Sequence, residues 1–388
     1  MTIETRKKLF RFLIVATLFL SVVNLQGVMD NRASQQIVFM LTMVTLFSLL
    51  LRNIWITLFV CWTVFLFSFF KFASGNAYLT NIFLGVVLYH IAQIGFKREH
   101  INFFINGFLW FVCLNVVYMS FQTLGYDYIF KYFNVIRGFT YIEENFSISA
   151  FMGHKSILSM LLTFAIPLLA TRGSKWAWAG AIGLFIPLYF LKTVSCIAVG
   201  FIALLFVMYY KTPRKIWIGI VIGSVLCTSV YALKVDRPGI ERFVQWKHVL
   251  EDAMIHPVIG WGLDSFANVT PGKNFRYSQV MTKYRNNPIE YKGKIYKDIN
   301  FVAWWGNPHN LYISLAYEFG CIGLFLFVAF MRQHVLRFKN AVKSQNALGL
   351  AGVILAFVLL SFGHFPIFVA RLAVFIIPVF ALFEVETI

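Results

Sequence analysis

The chain has 388 residues, of which 59% are hydrophobic and 13% charged, and its formal net charge is +18 at pH 7. A soluble domain of this length could not bury so much apolar surface, which includes 44 phenylalanines, so the composition excludes a soluble enzyme and indicates a polytopic membrane protein. The positive charge does not indicate a nucleic-acid partner, because the lysines and arginines are scattered over short loops without a binding module.

Apolar segments recur along the whole chain. About twelve of them are long enough to span a bilayer as α-helices. They lie near residues 9–28, 36–51, 54–72, 78–96, 101–123, 155–171, 175–191, 194–210, 216–234, 310–331, 347–364 and 366–385. We therefore predict an all-α, polytopic protein of about twelve transmembrane helices. It is expected to form a single integral membrane domain over residues 1–388.

The charges of the short loops indicate the orientation of the chain. Most of the Lys and Arg residues of the short loops lie on one side of the predicted spans, namely Arg6, Lys7, Lys8, Arg11, Arg52, Lys97, Arg98, Arg172, Lys175, Lys211, Arg214, Lys215, Arg332, Arg337, Lys339 and Lys343. The short loops on the other side hold only Arg32, Lys71 and Lys192. Because Lys and Arg are enriched in cytoplasmic loops, we expect both termini in the cytoplasm.

The cysteines give no sign of a disulfide framework or of a metal site. All of them lie inside predicted spans, at Cys61, Cys113, Cys196, Cys227 and Cys321. Since none lies in an outer loop, we expect no structural disulfide. No set of His, Cys, Asp and Glu residues has the spacing of metal ligands, so we expect neither a metal nor another cofactor.

Two connections are much longer than the others, residues 124–154 and 235–309, and both fall on the outer side. Long loops of a compact protein usually carry function. The second loop contains ten Lys and Arg residues and seven Asp and Glu residues. This charge fits either an anionic ligand at the outer face or an ordinary solvated loop, and charge alone favours neither.

Residues 240–253 of the second loop have the spacing of a short amphipathic helix. Its apolar stripe consists of Phe243, Trp246, Val249, Leu250 and Ala253. We predict that this helix lies on the membrane surface and ends where residues 256–262 turn the chain. Arg242 and Trp246 are four residues apart and share one face. Arg242 is then either a cation that snorkels at the interface or a phosphate clamp beside an aromatic platform.

Residues 304–323 place a polar cluster directly before a long apolar segment. Asn310 can cap the first turn of the helix that follows. His309 is expected at the water interface, where an imidazole can take or give a proton near neutral pH, although such a histidine is more often structural than catalytic. Glu318 would lie about 13 Å below His309, at a depth where a buried carboxylate needs a partner.

The same predicted helix carries small residues at regular intervals. Ala316, Gly320 and Gly323 follow His309 at helical spacing and would form one smooth face. Another helix can approach closely along such a face. We therefore predict a tightly gripped helix that holds an imidazole at its outer end.

The stretch from His309 resembles the signature of the O-antigen ligase and polymerase superfamily, which reads H-N, nine residues, then G-x-x-G. The matching positions are His309, Asn310, Gly320 and Gly323, with Leu311 and Glu318 at two further family positions. Four matches at fixed spacing are unlikely to arise by chance, given roughly a one-in-twenty chance per position.

Other segments extend this resemblance to about residues 150–330. Arg242 and Trp246 precede a P-x-x-G-x-G turn at residues 257–262, and the long outer loop comes directly before the histidine motif. The segment Gly153-His154-Lys155 is similar to the entry into a central helix of the family. The first 120 residues match only in hydrophobicity.

One position departs from the family pattern. Many ligases carry an arginine at the outer start of a middle helix, and Cys196 stands at the corresponding place in this chain. Lys192, one turn earlier, is the candidate replacement, although an ammonium group is not a bidentate fork. The departure weakens a strict assignment as a ligase and leaves room for a polymerase.

The resemblance implies a glycosyltransferase in the bacterial inner membrane, with its active site on the periplasmic side. The donor would be a glycan on an undecaprenyl diphosphate carrier. A ligase would use a sugar hydroxyl of lipid A–core as acceptor, and a polymerase would use another carrier-linked repeat unit. Because no set of His, Asp and Glu residues has the spacing of metal ligands, arginine and lysine would stabilise the leaving diphosphate. A monomer surrounded by membrane lipids is the default expectation, and the sequence does not identify the sugar.

The resemblance also suggests roles for single residues. Arg242 would bind the diphosphate, and His309 would act as general base on the acceptor hydroxyl or orient it. The candidate substrate-binding residues are Lys192, Trp246, Trp304, Trp305, Asn310 and Arg371. For Arg371 and for the tryptophans, snorkelling or anchoring at the membrane interface is an equally good explanation. Glu318, Gly320 and Gly323 are expected to be structural.

A transporter or a flippase for lipid-linked glycans is the more distant alternative. Twelve helices with both ends inside is a common plan for secondary transporters. Such proteins usually show internal repeats, paired broken helices and charges near the bilayer midplane. This sequence shows no detectable repeat, and its polar residues are concentrated in an outer loop. We therefore rank glycosyl transfer above transport.

Overall fold

The structure is a computed structural model that describes residues 98–124, 155–211, 309–342, 344–364 and 370–387, with residue 150 and positions within 55–66, 85–95, 246–262 and 289–296. These residues are mostly helical, as the hydropathy pattern predicts. The chain divides into two compact units. The first unit comprises Met1–Ile91, Asp236–Gln333 and Ser361–Phe368, and the second comprises Ala92–Val235, His334–Leu360 and Val369–Ile388.

Helices form most of the regular structure of the described residues. In chain order they are α1 (Arg98–Thr123), α2 (Lys155–Ala170), α3 (Lys175–Gly183), α4 (Phe185–Phe190), α5 (Val194–Lys211), α6 (Leu311–Leu336), α7 (Phe338–Ala341), α8 (Gln345–Leu360) and α9 (Ala370–Thr387). The strands are β1 (Ile289–Tyr291) and β2 (Lys294–Tyr296). The described positions within 55–66, 85–95 and 246–253 are also helical.

Strands β1 and β2 pair as an antiparallel hairpin within the large loop, with Glu290 opposite Ile295. The prediction of an all-α protein did not include this hairpin. Only Lys292 and Gly293 separate the two strands, and a two-residue connection with glycine is typical of a hairpin turn. Three-residue strands are too short for an alternating pattern to be visible in the sequence.

Three stretches of the described residues are long and apolar enough to cross a membrane: His100–Thr123, Val194–Lys211 and Leu311–Ala341. Two shorter apolar helices, Lys155–Ala170 and Gln345–Leu360, also fall on predicted spans. The predicted spans 9–28, 36–51 and 216–234 lie outside the described residues. The total of about twelve helices therefore stays a prediction.

The predicted span at 175–191 corresponds to two consecutive helices, and Leu184 between them keeps right-handed helical dihedral angles. Helix α3 ends at Gly183, and α4 begins at Phe185. Pro187 weakens the connection between them, because proline has no N–H to donate to the carbonyl of Gly183 four residues earlier.

Helix α2 is central to the second unit, and most of its side chains are buried. Glycines on neighbouring helices let those helices approach it closely. A Cβ atom at Gly200 of α5 would lie 2.7 Å from Ile166, and one at Gly352 of α8 would lie 2.5 Å from Pro167. Small residues at helix contacts of this kind are typical of membrane proteins, where close packing is a main attractive term.

Helices α2 and α5 run parallel. The Thr163 hydroxyl in the middle of α2 donates to the carbonyl of Cys196 in the first turn of α5 at 3.2 Å. At their ends, Lys211 Nζ donates to the carbonyl of Thr171 at 2.7 Å. Lys211 therefore places a cation at the C-terminal end of α2, where the helix dipole favours positive charge.

A buried carboxylate connects α9 to other segments of the second unit. Glu384 lies 3.2 Å from His334 Nε2 and 3.8 Å from Arg337. Gln93 Nε2 donates to Glu384 Oε2 at 2.6 Å. The side chains of His334 and Glu384 are 0% and 2% exposed. A carboxylate buried in this way is stable only when hydrogen-bond and charge partners replace the water it has lost. We call these four residues the Glu384 cluster.

Candidate functional site

His309 comes directly before α6 and has a positive backbone φ of 49°. Its side chain is half-buried. Few residues other than glycine adopt this left-handed conformation, although histidine is among the more tolerant ones. Such a conformation costs about 1–3 kcal/mol and persists only where the surroundings enforce it. The start of α6 therefore holds the backbone of His309 in a defined conformation.

Asn310 caps α6, as the sequence predicts. Its side-chain oxygen accepts from the backbone N–H of Ile313 at 3.1 Å. Its amide nitrogen donates to the carbonyl of Phe362 at 3.1 Å. The residue is only 4% exposed, and both the oxygen and the nitrogen of its side-chain amide form hydrogen bonds to the backbone. Asn310 therefore links the first turn of α6 to the backbone of Phe362, and its role in substrate binding stays a prediction.

The turn at residues 361–364 holds the start of α6 from the other side. The N–H of Leu311 donates to the carbonyls of Ser361 at 2.8 Å and of His364 at 3.1 Å. Ser361 and His364 are buried. Sequence reasoning missed this contact, because the predicted span 347–364 continued through the turn, whereas α8 ends at Leu360. The signal was the polar and glycine-containing run from Ser361 to His364 inside an apolar segment.

Helix α6 is broken at Gly320, where φ is 68° and ψ is −173°. The predicted smooth face of Ala316, Gly320 and Gly323 is therefore wrong at Gly320, which contacts a turn of the large loop. A Cβ atom at Gly320 would lie 2.1 Å from the carbonyl oxygen of Val258. A Cβ atom at Gly323 would lie 2.3 Å from Phe319 of the same helix and 3.4 Å from Trp62, which is an ordinary van der Waals distance.

The turn at residues 257–262 pairs with the broken part of α6. In a regular helix, the N–H of Cys321 would donate to the carbonyl of Tyr317. In this protein Cys321 donates to Pro257 at 2.8 Å, and Tyr317 accepts from Trp261 at 2.8 Å. The carbonyl of Glu318 accepts from Gly262 at 3.0 Å. The two motifs of the sequence thus meet through their backbones.

The indole of Trp62 supplies a further partner at this break. Its Nε1 donates to the carbonyl of Phe319 at 2.8 Å. The neighbouring Glu318 is 2% exposed, which agrees with its predicted burial. Sequence reasoning did not single out Trp62, because a tryptophan in an apolar segment is not distinctive.

The described part of the amphipathic segment packs on α6. Val249 and Ala253 form a small apolar core with Ile313 and Tyr317. Trp246 and Trp261 pack against the same core. Leu250, which was predicted in the apolar stripe, is 44% exposed. Trp246 therefore lies in the same unit as His309, and its ring contributes to packing.

The remaining predicted site residues lie elsewhere. Arg242, Trp304 and Trp305 are outside the described residues. Lys192 lies in the second unit at the turn between α4 and α5, where it is exposed and has a positive φ of 53°. Arg371 lies in the first turn of α9, also in the second unit.

The departure at Cys196 has a clear structural setting. Cys196 is buried in the first turns of α5, and its carbonyl accepts from Thr163. A long cation at this position would have to enter the contact between α2 and α5. Within the described ranges, no group of three or more His, Cys, Asp or Glu residues could hold a metal ion.

Comparison with known proteins gives one relevant finding. Residues 157–328 match the family model described as O-Antigen ligase. The matched range runs from α2 into α6 and includes Lys192, Arg242, His309 and Asn310. A search of the curated proteins finds no match.

Proposed function

We propose that this chain, whose residues 157–328 match the family model described as O-Antigen ligase, transfers a glycan from undecaprenyl diphosphate to lipid A–core. The transfer takes place at the periplasmic face of the inner membrane. The observation that carries the proposal is the start of α6, where the Asn310 cap fixes a half-buried His309 in a left-handed conformation.

In this proposal, His309 acts as the general base. The acceptor sugar hydroxyl gives its proton to the imidazole, and its oxygen attacks the anomeric carbon of the donor glycan. The bond between that carbon and the diphosphate oxygen breaks, and the carrier diphosphate leaves with the electron pair. The histidine must therefore be neutral when the acceptor binds. The fixed backbone at His309 supports this role, because a base has to be held within hydrogen-bond reach of the proton it removes.

The leaving diphosphate needs positive charge to stabilise it. We assign this charge to Arg242 and Lys192, with Arg371 as a further candidate. The exposure of Lys192 at a tight turn supports its availability to a ligand. Trp304 and Trp305, which precede His309 in the sequence, are proposed to stack on sugar faces.

Polymerisation of repeat units is the second candidate function, and Cys196 favours it. This residue replaces the arginine that many ligases carry at the outer start of a middle helix. A polymerase would use the same donor chemistry but would transfer the growing chain to a second carrier-linked repeat. The two functions differ in the acceptor and not in the proposed roles of His309 and Arg242.

Deleting the gene in its host tests the proposal and separates the two functions. Surface glycolipid is run on a gel, and carrier-linked glycan is extracted in parallel. Loss of all glycan from lipid A–core, with long chains on the carrier, identifies a ligase. Core that carries a single repeat, with no ladder above it, identifies a polymerase. An unchanged ladder contradicts both.

Changing Lys192 to glutamine is expected to raise the KM for the lipid-linked donor by about 10- to 100-fold, because the variant loses one charge-assisted hydrogen bond to the diphosphate. Lys192→Arg should keep the KM near the wild-type value, because it keeps the cation. The measurement is transfer rate against donor concentration in membranes. Lys175→Ala, which removes another exposed cation of the same unit, is the matched control. An unchanged KM in Lys192→Gln would remove Lys192 from the donor site.

A further inference from the structure

Two segments that are far apart in the sequence are paired through their backbones in the first unit. One is the turn Pro257–Gly262, and the other is the broken part of α6, Tyr317–Cys321. Three backbone hydrogen bonds of 2.8–3.0 Å join them. Trp62 adds a fourth bond of 2.8 Å to the same part of α6. We call these two segments with Trp62 the Gly320 lock.

The depth of the lock explains why all these backbone groups need partners. Gly320 follows the cap residue Asn310 by ten positions, which corresponds to about 15 Å along a helix. With the start of α6 at the outer interface, the break then lies within the hydrocarbon region. Water does not reach lipid-exposed backbone there, so a broken helix persists only where protein groups replace the missing bonds. The turn and Trp62 supply those groups.

Both glycines of the lock are required by space and by conformation. A Cβ atom at Gly260 would lie 2.6 Å from the backbone nitrogen of Gly320 and 2.7 Å from the carbonyl oxygen of Glu318. These neighbours are backbone atoms, which cannot rotate away as a side chain can. Gly320 also has a φ of 68° with an extended ψ, a region of backbone space that is essentially confined to glycine.

The segment of α6 between His309 and the lock is held at three places. Its start is fixed by the Asn310 cap and by the turn at residues 361–364. Its middle packs through Ile313 and Tyr317 against the helix of the large loop. Its end is held by the lock. A shift of the turn Pro257–Gly262 would therefore displace the first half of α6 relative to Val249 and Ala253 of the large loop.

We propose that the Gly320 lock is a positioning device for His309. It holds the histidine-bearing segment of α6 in register with the turn Pro257–Gly262 and with Val249 and Ala253 of the large loop, and so aligns the base with its substrates. Gly260, Gly320 and Trp62 are positioning residues, since they act through α6 and the loop. The inference rests on the proposed transferase function and adds the residues that align its parts.

Two variants of different severity test the lock. Gly260→Ala places a Cβ against the backbone of α6, and Trp62→Phe removes one donor but keeps an aromatic ring. Gly107→Ala is the matched control, because a Cβ at Gly107 meets nothing within 4 Å. Transfer kinetics and hydrogen exchange of the purified protein are measured for each variant. If Gly260→Ala does not fold, Trp62→Phe carries the test.

We expect kcat to fall by about 100-fold in Gly260→Ala and about 10-fold in Trp62→Phe, because small displacements of a base have effects of this size. The donor KM should change less than threefold. The amides of Trp261, Gly262 and Cys321 should exchange faster in Gly260→Ala, while those of α8 keep their protection. A merely structural role would lower the amount of folded protein and leave the kcat per folded molecule unchanged.

Two results would overturn the lock while leaving the proposed function intact. One is a wild-type kcat in folded Trp62→Phe and Gly260→Ala proteins while the His309 variant is inactive. The other is unchanged exchange of the three amides in Gly260→Ala. Absence of transfer by the wild-type protein would contradict the proposed function itself, and the amide exchange would then still report whether the two segments are paired.

Discussion

Replacing His309 with asparagine is expected to abolish most glycan transfer while leaving the protein folded. Asparagine tolerates the left-handed backbone that His309 adopts at a φ of 49°, so the substitution removes the imidazole and keeps the local chain path. General base catalysis contributes about 10²- to 10⁴-fold to a rate, and we expect kcat to fall by that factor. The measurement is initial transfer rate with purified protein at saturating donor.

The control for this variant is His100→Asn, which changes an exposed histidine in α1. Its rate should stay at the wild-type value. Thermal unfolding and gel filtration of the His309→Asn protein should match those of the wild type, because the Asn310 cap is intact. A His309→Asn protein that retains a rate within threefold of the wild type would remove the histidine from the chemistry.

Replacing Glu384 with alanine is expected to destabilise the protein by about 3–5 kcal/mol, the typical effect of breaking a buried ion pair. The reason is that His334, which is 0% exposed, and Arg337 lose their carboxylate partner. Gln93 also loses the acceptor of its 2.6 Å hydrogen bond. The measurement is the midpoint of thermal unfolding in detergent, with transfer activity before heating as a second readout.

Two further variants make this prediction specific to the Glu384 cluster. Glu251→Ala removes an exposed carboxylate from a 4.0 Å pair with Lys247, and it should change stability by less than about 0.5 kcal/mol. A double variant, Glu384→Met with His334→Phe, should recover part of the lost stability, because replacing both partners leaves fewer buried groups unpaired. Equal unfolding midpoints for wild type and Glu384→Ala would contradict the structural role.

The sequence was a good guide wherever the physical signal is local. Hydropathy located α1, α2, α5, α6 and α8, because each has to bury or expose a continuous apolar surface. The Asn310 cap was predictable as well. Capping depends only on a side chain and the N–H groups two or three residues later.

The break at Gly320 could not be predicted, because hydropathy averages over the whole span. A glycine inside an apolar segment is compatible with a smooth helix face and with a break. The choice is made by Pro257, Trp261 and Gly262, which lie about sixty residues earlier and supply the replacement hydrogen bonds. The turn at residues 257–262 and the motif from His309 to Gly323 were each recognised in the sequence. Their pairing could not be predicted, because backbone hydrogen bonds between distant segments leave no residue pattern.

The Glu384 cluster illustrates a second reason for such failures. Glu384 lies in the predicted span 366–385, where a single carboxylate does not alter the hydropathy pattern. Its partners come from two other places in the chain, Gln93 from one and His334 and Arg337 from around the end of α6. Polar partners of this kind are defined by tertiary packing alone, so the sequence could indicate only that a partner was needed.

The most direct test of the account is transfer by the purified protein in lipid vesicles. The vesicles contain a glycan on undecaprenyl diphosphate together with lipid A–core, and the products are separated by mass. The account predicts glycan-bearing lipid A–core and free carrier diphosphate in equal amounts, with neither formed by the His309→Asn protein. Intact donor moved across the bilayer without any new glycosidic bond would contradict the account and would identify a transporter.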